Sequence, residues 1–513
     1  MTANVLAALA LLVAPAVLPA LALLGARTTT VFIAPLVGAV FAAVAAELEA
    51  AVGSTLLTWY VILVVLANVA ALAWLRHRFA ALAKAQRTQL RTLDGRTPRR
   101  WAWPSGWSWA TVAVMALAAA WPLQVLRAPI LGYDAYAIWT LHSMLIFGGH
   151  NVLQGALTDP IYNFSQPNYP PLVPAVGALG FVAEGGVDLR LAEILTAVLN
   201  SCALAAAGCA IAESAAAHGR ALARVVSLGA GACICLIGFG LSASFGVSGY
   251  ADLLWAASGL AAILFGLVLP PSIRNLAAAW LCATVAGLSK TEGFLAACMI
   301  LGLLTVRYVP RPVTPLSALR QNAAGVRRAV GIVWARWAVT VVVFAVVMVL
   351  PGLFWVGYVR YEKIGTSFVG TSPQSVAFRS GATASGLWDN LHVLPLAVGV
   401  ALVGAVVLSG RRRRLALASD VWLWIVLAGS LAALVITYIF GAFEIHWWLS
   451  TSANRTTIFE NLTAYGDMAV WLTVAASYQT DRAPALEGVS AERFSEDTQD
   501  ILEPTPFVFG VTE

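Results

Sequence analysis

The stretch "SWATVAVMALAAAWPLQVLRAPILGYDAYAIWTLHSML", residues 108–145, joins an apolar run to a segment that places an acid, Asp134, between two tyrosines. The run at 108–129 is long enough to cross a bilayer, which takes about 20 apolar residues. Of the 513 residues, 60% are hydrophobic and 11% are charged, whereas a soluble domain carries about 25% charged residues. The sequence therefore predicts an all-α polytopic membrane protein with a carboxylate at the mouth of one span.

Apolar runs of spanning length recur along the chain. A tight hairpin at 275–306 adds two legs, which brings the predicted number of crossings to about thirteen. The other spans lie near 4–25, 30–47, 54–75, 108–129, 189–212, 222–241, 253–270, 337–358, 392–410, 421–441 and 457–479. We expect three parts. Residues 1–107 form a three-helix membrane extension with a basic loop, 108–480 form a transmembrane catalytic module, and 481–513 form an acidic, disordered tail.

The net charge of +6 comes from arginine and lysine residues grouped in short segments, at 76–100, 307–336 and 411–414. Such groups mark cytoplasmic loops beside anionic lipid, so the charge sets the orientation of the chain in the membrane and does not indicate nucleic-acid binding. The segments 130–188 and 359–391 then form external loops. Within the first of these, the proline-rich apolar segment 167–186 is expected to lie as an interfacial helix.

Two isolated acids fall on the external face, each beside a tyrosine. Asp134 follows Tyr133, and Asp252 lies two residues after Tyr250 at the start of a span. A carboxylate at a helix N-terminus is stabilised by the helix dipole, so a capping role remains open for Asp252. Asp134 has no comparable structural explanation, and an acid at a membrane boundary indicates a functional site.

The sequence "AGLSKTEGFL" places charges in the hairpin turn, at Lys290 and Glu292. Two legs of about 16 residues reach about 24 Å, short of the hydrocarbon core of about 30 Å, so the turn should lie below the outer membrane boundary. Mutual neutralisation of Lys290 and Glu292 is one interpretation. The other is a polar lining of an external cavity in which Lys290 meets a phosphate.

The third polar segment is "FEIHWWLSTSANRTTIFENL", which contains His446, Ser450 and Arg455. His446 and Ser450 are i, i+4 neighbours on one helical face. Arg455 is about half a turn out of phase with His446, so the helix must break between them if both line one cavity. Arginine at an external helix end opposes the usual charge bias and suits phosphate binding.

Taken in order, "YDAYAIWTLHSML", "NYPPLVP", "GYADLLWA", "SKTEG" and "HWWLSTSANR" resemble the GT-C superfamily of membrane glycosyltransferases over about residues 108–460. The similar members are the protein-mannosyltransferase and aminoarabinose-transferase type and the actinobacterial cell-wall enzymes. The family pattern is closer to D-A-W-A-I-W-x-L-K and K-N-E-G. Tyr136, His142 and Thr291 depart from it.

The resemblance implies inverting transfer of a sugar from a polyprenyl-phosphate donor to a glycan, lipid or protein acceptor outside the plasma membrane. It implies Asp134 as the base and Asp252 as a second catalytic carboxylate. Lys290, His446 and Arg455 would bind the donor phosphate. We expect the cavity to be lined by Tyr133, His142, Tyr169, Tyr250, Glu292 and Ser450. No cofactor is expected to be required, although a divalent cation could lie between Asp134 and Asp252.

Three other classes of protein remain open. A lipid-linked glycan flippase would also carry charges around a cavity, but usually along the whole path and with internal symmetry. An O-antigen-ligase-like enzyme would use arginines of a long external loop, and 359–391 offers Arg360, Lys363 and Arg379. A structural assembly partner is the fourth class, and it should tolerate Asn at Asp134.

Overall fold

The structure is a computed structural model, and it describes most of the chain. The described residues are 2–92, 106–121, 132–216, 221–241, 246–309, 349–365 and 374–477, with single positions at 123, 338–339, 342–343 and 346. The acidic tail predicted at 481–513 and most of the basic segment 307–336 lie outside them. The same holds for much of the predicted span 337–358.

The described residues form helices and no β-strand, which confirms the all-α prediction. Seventeen helices carry labels here: α1 Thr2–Leu24, α2 Thr28–Val52, α3 Leu56–Thr92, α4 Gly106–Ala120, α5 Leu141–Phe147, α6 His150–Thr158, α7 Leu172–Glu184, α8 Leu189–Ala216, α9 Ala221–Leu241, α10 Asp252–Ile263, α11 Ile273–Ser289, α12 Thr291–Arg307, α13 Val376–Asn390, α14 Leu394–Val407, α15 Gly410–Phe440, α16 Ile445–Thr456 and α17 Ile458–Ala476. Shorter helical segments lie at Ala135–Thr140 and Leu264–Val268 (π), at Pro160–Ser165 (3₁₀) and at 349–361.

Six described helices are long and apolar enough to cross a membrane, namely α1, α2, α3, α8, α9 and α15. Helices α13 and α14 meet at 67° and would add a seventh crossing if they form one broken span. Five shorter apolar stretches among the described helices have 10–17 residues, and at 1.5 Å per residue they reach at most about 26 Å. The described residues therefore support a multi-pass helical membrane protein, but they do not support the predicted count of about thirteen crossings.

Helix α7 differs from the interfacial helix predicted at 167–186. All ten residues from Leu172 to Phe181 are buried, and α7 packs against α1, α2, α5 and α8. A helix at a membrane surface keeps one face toward water, whereas a helix that is apolar on every side is buried. The prediction is therefore wrong, because the surrounding helices cover every side of α7.

The first two helices are part of the main core. Helices α1 and α2 pack against each other, and both contact α7, α8 and α11. Their buried residues belong to the same apolar cluster as those of α10 and α11. Packing thus continues across the predicted boundary at residue 107.

Several predicted loops contain helices. Helix α3 continues into the basic segment as far as Thr92, and the arginines at 411–414 lie in the first turns of α15. The predicted external loop 359–391 contains α13, and 130–188 contains three labelled helices. The 130–188 segment matters because it holds residues of the candidate site.

Candidate active site

Asp134 and Arg455 form an ion pair between segments 321 residues apart in the chain. Nη1 of Arg455 donates to Oδ2 of Asp134 at 2.5 Å, and the two side chains are 16% and 30% exposed. Asp134 directly precedes the π-helical segment Ala135–Thr140, and Arg455 lies in the last turn of α16. Single π-helical turns are frequent at functional sites, and partial exposure leaves this pair open to a ligand.

Asp252, Lys290 and Glu292 form a second, more deeply buried group. Nζ of Lys290 donates to Oδ1 of Asp252 at 2.7 Å and lies 3.2 Å from Oε1 of Glu292. The Asp252 side chain is 1% exposed and that of Lys290 7%, whereas Glu292 is 36% exposed. Asp252 lies in the first turn of α10, where the helix dipole favours its charge. Its side-chain hydrogen bond to Lys290 adds a partner that a capping role alone does not require.

The position of Lys290 follows from the predicted hairpin. Helices α11 and α12 have 17 residues each and are separated by Lys290 alone, whose backbone is extended. A Cβ at Gly293 would lie 2.0 Å from the carbonyl oxygen of Ala286. Only glycine permits this close approach of the two legs. The prediction of two short legs that meet at a charged turn is confirmed.

The two groups form one charge cluster, which we define as Asp134, Asp252, Lys290, Glu292 and Arg455. Asp252 and Arg455 are close enough to interact electrostatically. Burial lowers the pKa of Arg455, but the charges of Asp252 and Asp134 outweigh it and raise that pKa above its usual value. Three carboxyl groups thus surround two cations, so each cation has a carboxylate partner before any ligand arrives.

Aromatic rings form one wall of the charge cluster. The Arg455 guanidinium lies 5.1 Å from the ring centroid of Tyr250, and Nζ of Lys290 lies 5.9 Å from that of Tyr169. Tyr169 stacks on Trp139, with 5.3 Å between ring centroids and 9° between the planes. These distances suit cation–π contacts, which fix cations beside flat apolar surfaces.

Three residues predicted for the site lie apart from the charge cluster, and a fourth, Tyr133, is next to Asp134 in the chain but exposed. His142 is buried, with Nε2 3.0 Å from Oγ of Ser165. His446 is exposed and packs edge-on against Phe378. Ser450 is exposed and donates to the Trp447 carbonyl of its own helix. Tyr133 is 78% exposed beside Asp134.

The continuity of α16 explains the separation of His446 from Arg455. The helix runs unbroken over Ile445–Thr456, so the two residues lie nine positions, or about 14 Å, apart along its axis and point in different directions. The break that would have placed both in one cavity is absent from this helix. Of the three residues predicted to bind phosphate, the structure therefore brings Lys290 and Arg455 into the charge cluster and places His446 outside it.

Two neighbours of the site were not predicted. The hydroxyl of Tyr438 lies 2.7 Å from the hydroxyl of Ser452 and 3.0 Å from the hydroxyl of Thr456. Ser452 lies about one turn before Arg455, and Thr456 directly follows it. Tyr438 and Trp139 both lie within apolar stretches. Neither has a sequence signal that distinguishes it from an aromatic residue at a membrane interface.

No family model matches this chain, and neither a curated protein nor a solved structure matches it. Among the described residues, no three His, Cys, Asp or Glu side chains converge as a metal site. Asp134 and Asp252 each face a cation rather than one another. A divalent ion would thus have to replace Arg455 or Lys290 as a partner of these acids.

Proposed function

We propose that this protein is a membrane glycosyltransferase of the GT-C type. It transfers a sugar from a polyprenyl-phosphate donor to a cell-envelope acceptor at the extracytoplasmic face of the plasma membrane. The observation that carries the proposal is the convergence of Asp134 and Arg455 with the buried Asp252–Lys290 pair. The location and the full count of about thirteen crossings belong to the same proposal.

The partly exposed Asp134–Arg455 pair can exchange partners. A lipid phosphate that approaches Arg455 competes with Asp134 for the guanidinium, which binds phosphate and carboxylate by the same fork of N–H groups. Once the phosphate takes Arg455, the Asp134 carboxylate is free to accept a hydrogen bond from the acceptor hydroxyl. Donor binding would in this way prepare the base.

The proposed reaction is a single displacement at the anomeric carbon. The acceptor oxygen attacks the anomeric carbon, the bond from that carbon to the phosphate oxygen breaks, and the hydroxyl proton passes to Asp134. The phosphate leaves with the bonding electrons, and Arg455 and Lys290 stabilise its developing charge. Attack opposite the leaving group inverts the anomeric configuration.

One observation disfavours the O-antigen-ligase-like alternative. Arg379, the arginine of the 359–391 segment that lies deepest in the protein, donates to the main-chain carbonyls of Tyr438, Ile439 and Phe443. Its N–H groups are therefore engaged with the protein, while Arg360 and Lys363 are exposed.

The experiment measures sugar transfer by the purified protein from a panel of polyprenyl-phosphate sugars, for wild type and Asp134→Asn. Loss of the base lowers kcat by about 10²–10⁴-fold. Because asparagine no longer competes with phosphate for Arg455, the donor KM stays level or falls. Asp389→Asn, a change at an exposed acid of α13, should leave both constants unchanged.

Unchanged kcat in Asp134→Asn would remove this residue as the base. Absence of transfer from every donor, together with lipid translocation in liposomes, would instead favour a flippase. A variant that loses activity only through a raised donor KM would show that Asp134 organises donor binding and takes no proton.

A further inference from the structure

A second buried polar group lies between α15 and α17, away from the charge cluster. Asp420 and Asp467 are 9% and 2% exposed, and the Asp467 side chain lies within hydrogen-bonding range of the Asp420 carboxyl. Asp420 is six residues, or about 9 Å along α15, past Arg414. If the arginines at the start of α15 mark the cytoplasmic boundary, both acids lie inside the hydrocarbon core.

The hydrogen bonds around the two acids are unequal. Two indole N–H groups, those of Trp424 and Trp471, donate to Oδ1 of Asp420 at 3.0 and 2.8 Å. Neither oxygen of Asp467 accepts a hydrogen bond of ordinary geometry, although both are buried. Trp424 also lies beside Asp467, but its N–H is directed at Asp420.

This asymmetry distinguishes the two acids chemically. An ionised carboxylate accepts hydrogen bonds and needs donors, which Asp420 has and Asp467 lacks. Two neighbouring carboxylates cannot both remain ionised in a buried site, so one of them holds a proton. A protonated Asp467 would donate its O–H to Asp420, which satisfies both groups with no further partner.

Among the described residues, Asp420 is the ionisable side chain that lies against Asp467. Helix α14, which packs on the same side of α17, contains no charged residue, and α10 carries only Asp252, which is bonded to Lys290. The other charged side chains on helices in contact with α17 are Arg190, Glu193, Glu213, Arg224, the arginines 412–414, Glu460, His446 and Arg455.

We propose that Asp420 and Asp467 form a proton-binding site inside the membrane, in which one proton is held by Asp467 and shared with Asp420. The two acids titrate as one coupled unit, so the bound proton belongs to the pair rather than to either residue alone. The proposal does not depend on the glycosyltransferase proposal, because it rests on different residues and a different pair of helices.

Infrared spectroscopy of the full-length protein in lipid nanodiscs tests this site. Wild type at neutral pH should show the carbonyl stretch of a protonated carboxylic acid. Asp467→Asn should remove that component, and since asparagine imitates a neutral acid in size and hydrogen bonding, this variant should still fold. Asp420→Asn keeps an acceptor oxygen but loses the charge, so the band should shift rather than disappear.

Asp389→Asn is the matched control, because it removes an exposed acid and should leave the band unchanged. Identical spectra for wild type and Asp467→Asn would overturn the proposal. A band that weakens when sodium chloride replaces choline chloride would also overturn it, since the site would then bind a sodium ion. If Asp467→Asn does not fold, the comparison between wild type and Asp420→Asn tests the proposal instead. A band at the same position in these two proteins would overturn it.

Discussion

Two arginines, the buried Arg379 and the partly buried Arg455, have different kinds of partner. Arg379 is 1% exposed and donates to the carbonyls of Tyr438 and Ile439 in the last turn of α15 and to that of Phe443, three residues past its end. Arg455 lies nearer the surface and has a carboxylate partner, Asp134. Main-chain carbonyls cannot leave the guanidinium without unfolding the helix end, whereas a carboxylate can be replaced by another anion. The type of partner, main-chain carbonyl or carboxylate, thus distinguishes a structural arginine from one suited to ligand binding.

The largest expected effect is on stability, in Arg379→Lys. Lysine keeps the charge but lacks the planar fork that serves several carbonyls at once. The unmet carbonyls of the last turn of α15 should cost on the order of 3–5 kcal/mol of unfolding free energy. The measurement is the apparent melting temperature of the purified protein in detergent.

The matched control is Arg360→Lys, because Arg360 is exposed and its exchange should change stability by less than about 0.5 kcal/mol. Equal melting temperatures for Arg379→Lys and Arg360→Lys would contradict the structural role of Arg379. They would also restore it as a candidate ligand-binding residue of the 359–391 segment.

The second effect is on activity, in Arg455→Lys. The partly exposed Asp134–Arg455 pair contributes about 0–1 kcal/mol to stability, so the variant should melt close to wild type. Transfer should fall by about 10²-fold, because lysine cannot reproduce the two-point contact with a phosphate. Parallel measurement of melting temperature and sugar transfer separates the two effects.

A melting temperature lowered as much as in Arg379→Lys would make Arg455 a structural residue as well. Unchanged transfer in a stable Arg455→Lys would remove it from donor binding. Either outcome would abolish the distinction between the two arginines.

The sequence indicates the hairpin well and the position of α7 poorly. Arg274 and Arg307 bracket an apolar stretch too short for two full crossings, so charges at 290–292 must lie in a turn. By contrast, an apolar helix of 13 residues looks the same at an interface and in a core. Only the packing of α1, α2 and α8 around α7 decides between them, and that packing is not local information.

The same limit applies to side-chain partners. Local spacing on α16 shows that His446 and Arg455 are out of phase, but whether the helix breaks between them depends on its surroundings. Asp420 and Asp467 lie in two separate apolar helices, and nothing near either residue in sequence indicates the other. Contacts between distant segments arise from tertiary packing, which periodicity and composition do not encode.

The smallest expected effect links the two arginine regions through Glu444. Its side chain accepts hydrogen bonds from the backbone N–H groups of Trp447 and His446, at the start of the helix that ends near Arg455. It also accepts from Gln374, whose amide oxygen accepts from Arg379. The Trp447 and His446 N–H groups, with Gln374, lower the pKa of Glu444 from 4.5 to about 2.

A carboxyl whose pKa is depressed in the folded protein stabilises it above the unfolded pKa, and this contribution is lost as the pH falls through the folded value. Wild type should therefore melt slightly higher than Glu444→Gln at about pH 6, and the difference should shrink between about pH 4.5 and 2. The measurement is the difference in apparent melting temperature between the two proteins across this range. A difference that stays constant down to about pH 2 would mean that Glu444 takes up no proton there, and that its hydrogen bonds, which glutamine could keep, matter more than its charge.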